Sequence, residues 1–566
     1  MMLPRAVPWL GLLVLFALAF VGSAPPVGIA HSIVAPSIAL AGLPDTPLEP
    51  LALSRIGRYS SGLGATSSEI VAFDPASDRM FITNAVNATV TIVDISTPSA
   101  PTLVSTIDIA PTYGTGINSV DVYDGVVAVA VEPTPKTDPG KVVFFDANGI
   151  FINQVTVGVL PDMITYTPNG AYVLTANEGE PNSYGQPDSV DPEGSISVIA
   201  MPAGGPANLT TTTTLTANTA DFTSYNAQME TLKAAGVRIF GPNASVAQDF
   251  EPEYIAIAPD SLTAYVTLQE NNAMAVVDIA TATVTDVRAL GFKDHSLAGN
   301  GLDPSDKDGT GGSPTINIGT WPILGMYQPD SIAAFEIGGT TYLVTANEGD
   351  ARDYTGLKEE VRIKTLSLDP AVFPNATVLK QDAQLGRLTV TNQNGNTDAD
   401  AEYEALYVFG ARSFSIWNAS SGALVVDSGD DIEQRTATLT PTLFNANDGK
   451  PADFDTRSDN KGPEPEAIEI GEIAGRTYVF VGLERSGGGV MVYDATNPAA
   501  PTFVQYARPT DAPDDIAPEG IHFISCGDSP TGKPLLLVSN EYSGSVAIYE
   551  ITVPLLPQAY LPFVSR

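Results

Sequence analysis

The stretch Glu251–Ile279, EPEYIAIAPDSLTAYVTLQENNAMAVVDI, decides the fold. Three short runs rich in Val, Ile, Ala, Thr and Tyr are separated by Pro259-Asp260-Ser261 and by Gln269-Glu270-Asn271-Asn272. Alternating runs of that length, bounded by turn-forming residues, read as strands of one antiparallel sheet. The plan recurs as PDMITYTPNGAYVLTANEGEP from Pro161, QPDSIAAFEIGGTTYLVTANEGDARDY from Gln328, EPEAIEIGEIAGRTYVFVGLERSGGGVMVYD from Glu464 and PEGIHFISCGDSPTGKPLLLVSNEYSGSVAIYE from Pro518. Weaker copies begin near Ser68 and Asn118, and ALYVFGARSFSIWNASSGALVVDSG from Ala405 has the strands without the acidic opening. That makes eight units, one of which can be an insertion.

A repeat of this length overrides the several domains that chain length alone suggests. Each unit reads as strand, tight turn, strand, loop, strand and usually a fourth strand, the grammar of a propeller blade. The expected fold is all-β: a single closed β-propeller of seven or eight four-stranded blades, with long loop insertions and one short helix. That helix is expected at Asn226–Ala235, inside the insertion Pro202–Asp249, with Gly236 ending it. The segment PLALSRIGRYSSG from Pro47 is expected to add the outer strand of the last unit, leaving no open edge. An α-helical solenoid is excluded because the apolar spacing is two, not 3.6.

Arg5 precedes an apolar run, Leu10–Val21, followed by small residues and Pro25-Pro26, the order of a secretory signal. The expected organisation is signal peptide 1–30, linker 31–46, propeller 47–552 and C-terminal tail 553–566. An uncleaved anchor is the alternative, but no later stretch is apolar enough to span a bilayer, so secretion or a cell-surface location is expected. The lone cysteine, Cys526, rules out an internal disulfide and leaves stability to core burial.

Sixty-five acidic residues against 27 Lys and Arg give a net charge of −38, which repels nucleic acid and anionic lipid. With only three histidines, a bound metal is expected to have oxygen ligands, so Ca²⁺ fits and a histidine-rich zinc centre does not.

Pro-Asp or Pro-Glu opens the first strand at Asp162, Glu253, Asp330, Glu466 and Glu519, and a second carboxylate follows the second strand at Glu178, Glu270, Glu348, Glu484 and Glu541. One hairpin separates the members of each pair, so both return to the same end of the sheet. Around a ring this gathers carboxylates at one mouth of the channel, where cations, arginine or protonation must relieve their repulsion. Arg352, Arg412 and Arg485 are the candidate arginines, and Glu253, Glu348 and Glu519 the candidate ligands of a mouth ion. The bland alternative is that these acids cap turns and bond to backbone amides. A separate run, LDPSDKDGTGGSPTINIGTWP, carries Asp303, Asp306 and Asp308 before Gly309 and resembles a calcium loop without the closing Glu of an EF-hand; a solvated turn is its alternative.

The Asp303 run continues into WPILGMYQPDSIAAF from Trp321, then TANEGDARDY from Thr345, EEVRIKTL from Glu359 and GPEPEAI from Gly462, and with AAGVRIFGPNASVAQDFEPEYIAI from Ala234 it resembles the choice-of-anchor I proteins. The resemblance covers nearly all of the chain after the signal. It implies an exported propeller of a family some of whose members are labelled alkaline phosphatases or mesenchyme-specific cell-surface glycoproteins. Two functions follow. One is a calcium-supported extracellular or surface scaffold that binds an anionic small molecule through the metal, or a surface glycan or protein. The other is a calcium-dependent phosphomonoester hydrolase, with Glu348 and Glu466 at the metal and Arg352 and Arg485 clamping phosphate.

Overall fold

The computed structural model describes residues 51–398, 400–508 and 515–553. The stretches expected to be a signal peptide (1–30) and a linker (31–46) and, apart from Val553, the expected C-terminal tail lie outside them. The described chain is all-β, built on seven four-stranded antiparallel sheets. In chain order, sheet 1 spans residues 71–108, sheet 2 116–159, sheet 3 161–221, sheet 4 252–289, sheet 5 332–427, sheet 6 465–507 and sheet 7 518–552.

Sheet 7 takes its fourth strand from the other end of the chain. Ala52–Ser60 pairs antiparallel with Ser545–Thr552, with a bulge between Arg55 and Gly57. The segment from Pro47 therefore supplies the outer strand expected of it. The pairing is reinforced where Arg55 and Arg58 both reach Asp515, at 2.8 and 2.6 Å.

The strands alternate as their sequences require, and both faces of each sheet bury apolar side chains. Seven hydrophobic clusters lie between consecutive sheets. Phe81, Ile92, Val129 and Phe145 join sheets 1 and 2; Leu174, Val198, Val266 and Ala275 join sheets 3 and 4; Val344, Phe414, Val481 and Tyr493 join sheets 5 and 6. Sheets 2 and 3, 4 and 5, and 6 and 7 are joined in the same way. The remaining cluster packs Met80 and Ile82 of sheet 1 on Leu535, Leu537 and Ile548 of sheet 7. The first strands follow the same order, each lying beside the next, and that of sheet 7 lies beside that of sheet 1.

Two expectations are corrected. The unit from Ala405 is not a sheet of its own: its strands Ser413–Asn418 and Leu424–Asp427 complete sheet 5, begun by Ile332–Ile337 and Thr340–Asn347. An insertion of residues 348–412 separates the halves; it carries two short antiparallel strand pairs and, with Leu302 and Ile323 from the segment before sheet 5, forms a satellite core around Ile363, Leu385 and Val408. Nor is there one helix. Thr223–Gln228 is a 3-10 turn leading into an α-helix at Met229–Ala235, closed by Gly236 in the left-handed region at φ 102°. Among the described residues there are three more α-helices: single turns at Val246–Asp249 and Ala376–Leu379, and Asp431–Leu439, which buries Ile432, Glu433 and Thr436, a mostly polar face that hydrophobic periodicity does not reveal.

Starting the chain at Ser61 removes the strand that covers Ser545–Thr552 and exposes a bare sheet edge. Such a chain is expected to melt at a lower temperature and to self-associate in size-exclusion chromatography. A monomer of unchanged melting temperature contradicts the closing role of Ala52–Ser60.

Candidate functional site

Sheets 3, 4, 6 and 7 open with the same local device. Pro161, Pro252, Pro465 and Pro518 are the first residues of their strands, where a missing N–H costs no ladder bond. The register then slips directly after each proline, between Pro161 and Ile164, Pro252 and Ile255, Pro465 and Ile468, and Pro518 and Gly520. Asp162, Glu253, Glu466 and Glu519 sit within these bulges, features that re-aim side chains at functional rims. The residues before Pro161, Pro465 and Pro518, and before Pro329 ahead of sheet 5, are strained. Leu160, Gln328, Glu464 and Ala517 take φ of 50°, 39°, 47° and 60°, although none is glycine and a following proline favours extended backbone.

The partner carboxylates are fixed by the hairpin's return. The amides of Glu178, Glu484 and Glu541 donate to the carbonyls of Leu160, Glu464 and Ala517 at 3.0, 2.9 and 2.8 Å. The Asn before the carboxylate locks the corner: Asn177 Nδ2 donates to Ser197 Oγ at 3.0 Å, and Asn347 Nδ2 donates to Ser415 Oγ at 2.8 Å. Against the alternative that the acids themselves hold these corners, it is the neighbouring Asn177 and Asn347 that do so.

The result is a crowd of carboxyl groups around a cavity of about 250 Å³ lined by Glu69, Asn118, Asp162, Tyr254, Asp330 and Glu519. Met163 and Tyr254 also line a second space of about 510 Å³ on their far side, walled by Ile164, Ile255, Ile332 and Ile468. Burial and mutual repulsion raise the acids. Asp162 is pushed up to about 7 by burial and by Glu180 and Glu132; Glu69 goes to about 8 by burial, Glu541 and Asp162. Glu178, Glu253, Asp330, Glu466, Glu484 and Glu519 all stand well above the usual carboxylate range, burial first and carboxylate neighbours second.

Two triads form within this crowd, each with ligand atoms within 4.8 Å of one another: Asp162–Glu178–Glu253 and Glu348–Glu466–Glu484. They differ in their company. In the second, Lys461 contacts Glu348, Gln269 Nε2 donates to the other Glu348 oxygen at 2.9 Å, and Arg485 pairs with Glu484 at 2.7 Å. Lys461 and Arg485 are in turn shared with Glu464, at 3.6 and 3.3 Å. Burial alone would raise Glu464, but Lys461, Arg457 and Arg485 outweigh it and bring the carboxyl down to about 2. Among the described residues, the Asp162–Glu178–Glu253 carboxylates have no hydrogen bond or ion pair at all. Beside them, Glu270 is only 6% exposed and its Oε2 is buried without a partner.

Several expected site residues are elsewhere. Arg352 is not a clamp at the mouth: it is 1% exposed, and its guanidinium is held by Asp249 at 3.0 Å, the Asp249 carbonyl at 2.6 Å and Glu251 at 3.2 Å, over the ring of Phe240. Arg412 is likewise buried, donating to Glu433 at 2.6 Å and to the carbonyls of Asp303, Ser458 and Asn460. Glu253, Glu348 and Glu519 do not share one ion, since the first two belong to different triads and Glu519 lines the cavity with Asp330. Asp303, Asp306 and Asp308 do not converge either. Asp303 is capped by the Ser305 amide at 3.3 Å, and Asp306 turns to Arg387. Glu541 is half-buried at the mouth beside Glu69 and Glu519. Lys461, Glu464, Glu69 and Gln269 were not expected from the sequence. Lys461 precedes the quoted Gly462–Ile468 run directly, but its partner Glu348 is 113 residues away.

A family model of the choice-of-anchor I domain matches residues 69–498, which include both triads and the strained openings at Leu160, Gln328 and Glu464. The chain belongs to the choice-of-anchor I domain family. This choice-of-anchor I chain is 30% identical over 191 residues to Gigasin-3a of Magallana gigas, covering 31% of this chain and 66% of that protein. It is 26% identical over 320 residues to a mesenchyme-specific cell surface glycoprotein of Strongylocentrotus purpuratus, covering 49% of this chain and 40% of the relative. The chain thus spans about two thirds of one relative and less than half of the other. Solved structures similar to it include Kuenenia stuttgartiensis hydrazine synthase, at a TM-score of 0.45 and 12% identity over 86% of this chain and 97% of that one. A second is the Myceliophteria thermophila Cps50 (Swd1) beta-propeller domain, at 0.40 and 10% over 88% and 100%.

Replacing Arg352 by alanine leaves Asp249 and Glu251 buried without their cation. The expected cost is about 3–5 kcal/mol, a large part of the ~5–15 kcal/mol that holds a typical protein folded. A denaturant titration reads it as a lowered midpoint; an unchanged midpoint contradicts the structural role assigned to Arg352.

Proposed function

We propose that the seven sheets are the blades of one closed β-propeller, and that the protein is an exported or cell-surface binding scaffold whose working face is the acidic mouth. Closure is supported by the packing of sheet 1 on sheet 7 and by the strand Ala52–Ser60. The extracellular reading is supported by the signal-like N-terminus and by family membership, and a relative is named as a cell surface glycoprotein. Among the described residues, no helix is long and apolar enough to cross a membrane.

One observation carries the binding reading: carboxylates from several sheets converge on a cavity, two of them, Asp162 and Glu519, in strand-opening bulges that follow residues held at positive φ. Strain retained in a fold is a marker of function, since packing alone does not call for it. Calcium support follows from the oxygen-only chemistry of the mouth. A partner then binds through its own cations, or through an anion that joins the coordination of a bound ion.

The phosphomonoesterase alternative loses its clamp, because Arg352 is sequestered and Arg485 is bound to Glu464 and Glu484. Incubating the purified chain with p-nitrophenyl phosphate, with calcium and with chelator, is expected to release no nitrophenol above buffer. Calcium-dependent turnover that Glu466→Gln abolishes would overturn the scaffold reading in favour of a hydrolase.

A further inference from the structure

We propose that Asp162, Glu178 and Glu253, with Glu270 beside them, form a calcium site that ties sheet 3 to sheet 4, and that Lys461 and Arg485 replace a metal at the sister triad. The inference deepens the scaffold reading, which supplies the mouth but not the seat of the ion.

The geometry suits the larger alkaline-earth ion. Two oxygens bound to one Ca²⁺ at about 2.3–2.6 Å stand up to roughly 5 Å apart, and those of Asp162, Glu178 and Glu253 lie within 4.8 Å. Mg²⁺ demands a tighter, near-ideal octahedron at about 2.0–2.1 Å. Zinc prefers nitrogen and sulfur, which this carboxylate set does not offer. Asp162 and Glu253 arrive on bulged strand openings, one from sheet 3 and one from sheet 4, while Glu178 and Glu270 arrive on the hairpin returns of the same two sheets. An ion between them is therefore a cross-link between adjacent sheets.

An acidic cluster alone would not establish a site. The independent observation is Glu270 Oε2, which is buried with no hydrogen-bond partner. An unpaired buried oxygen carries a desolvation cost that a bound cation returns. Glu270 lies close enough for its charge to raise both Glu178 and Glu253. Asp162 also lines the open cavity, so the ion has an entry path and can keep a coordination position for an anionic partner.

The sister triad decides by contrast. Its Glu466 Oε2 is also buried without a hydrogen-bond partner, but Lys461 and Arg485 already meet Glu348 and Glu484, and a metal there must displace a tethered ammonium. The third carboxylate cluster, Asp398–Asp400–Glu404, belongs to a surface turn in which Glu404 accepts from the Thr397 amide at 2.6 Å.

The test is calorimetric titration of CaCl₂ into the chelator-treated full chain and its variants. One tight calcium is expected for the unaltered chain and for Glu466→Gln. Affinity is expected to fall at least ~10-fold, the scale of losing a buried charged ligand, in both Asp162→Asn and Glu253→Gln. Melting curves in chelator identify any variant that does not fold, and Glu178→Gln then takes its place. No calcium uptake by the unaltered chain, or loss of it in Glu466→Gln with retention in Asp162→Asn, overturns the proposal. Calcium uptake accompanied by phosphate turnover would sink the scaffold reading and leave the site standing; no uptake and no turnover would do the reverse.

Discussion

Like charges crowded at one end of a ring of sheets are the constraint on which this structure turns. Five of the seven sheets send a carboxylate in on the opening of the first strand and another on the return of the second, so a chain that repeats the unit repeats the charge. Left alone in a cavity of about 250 Å³, such groups repel one another and resist ionisation, which is why burial and their neighbours raise the carboxyls of Asp162, Glu69 and Glu519. Folding the chain this way is unfavourable unless something positive enters or protons stay on.

The protein meets that demand unevenly. Around sheets 5 and 6 it brings its own cations: Lys461 against Glu348, Arg485 against Glu484, and both shared by Glu464. Around sheets 3 and 4 it brings Arg352, but uses it one layer away, neutralising Asp249 and Glu251 beneath Phe240. Asp162, Glu178 and Glu253 are left with no partner of their own among the described residues. The asymmetry, more than the number of acids, marks where an external cation belongs.

Much of the fold was legible because its signals are local. Alternating apolar runs and turn residues reveal each sheet, and the run from Pro47 reveals its pairing with the last one. What the sequence concealed is non-local. Sheet 5 reads as two units because a 65-residue insertion, residues 348–412, splits it between Asn347 and Ser413. Helix Asp431–Leu439 buries Glu433 to receive Arg412, a polar contact with no periodic signature. The carboxylates of the mouth were readable from the Pro-Asp and Pro-Glu openings, but their division into two triads was not. That division depends on which cation each acid meets. Arg352 looks well placed four residues after Glu348, yet its partners lie about a hundred residues earlier, at Asp249 and Glu251.

The most direct measurement is anomalous diffraction from a crystal of the full chain soaked in a terbium salt, the lanthanide standing in for calcium. A single strong peak between Asp162, Glu178 and Glu253, with Lys461 still on Glu348, is the predicted result. A peak among Glu348, Glu466 and Glu484 with Lys461 displaced, or no peak at the mouth, would contradict it.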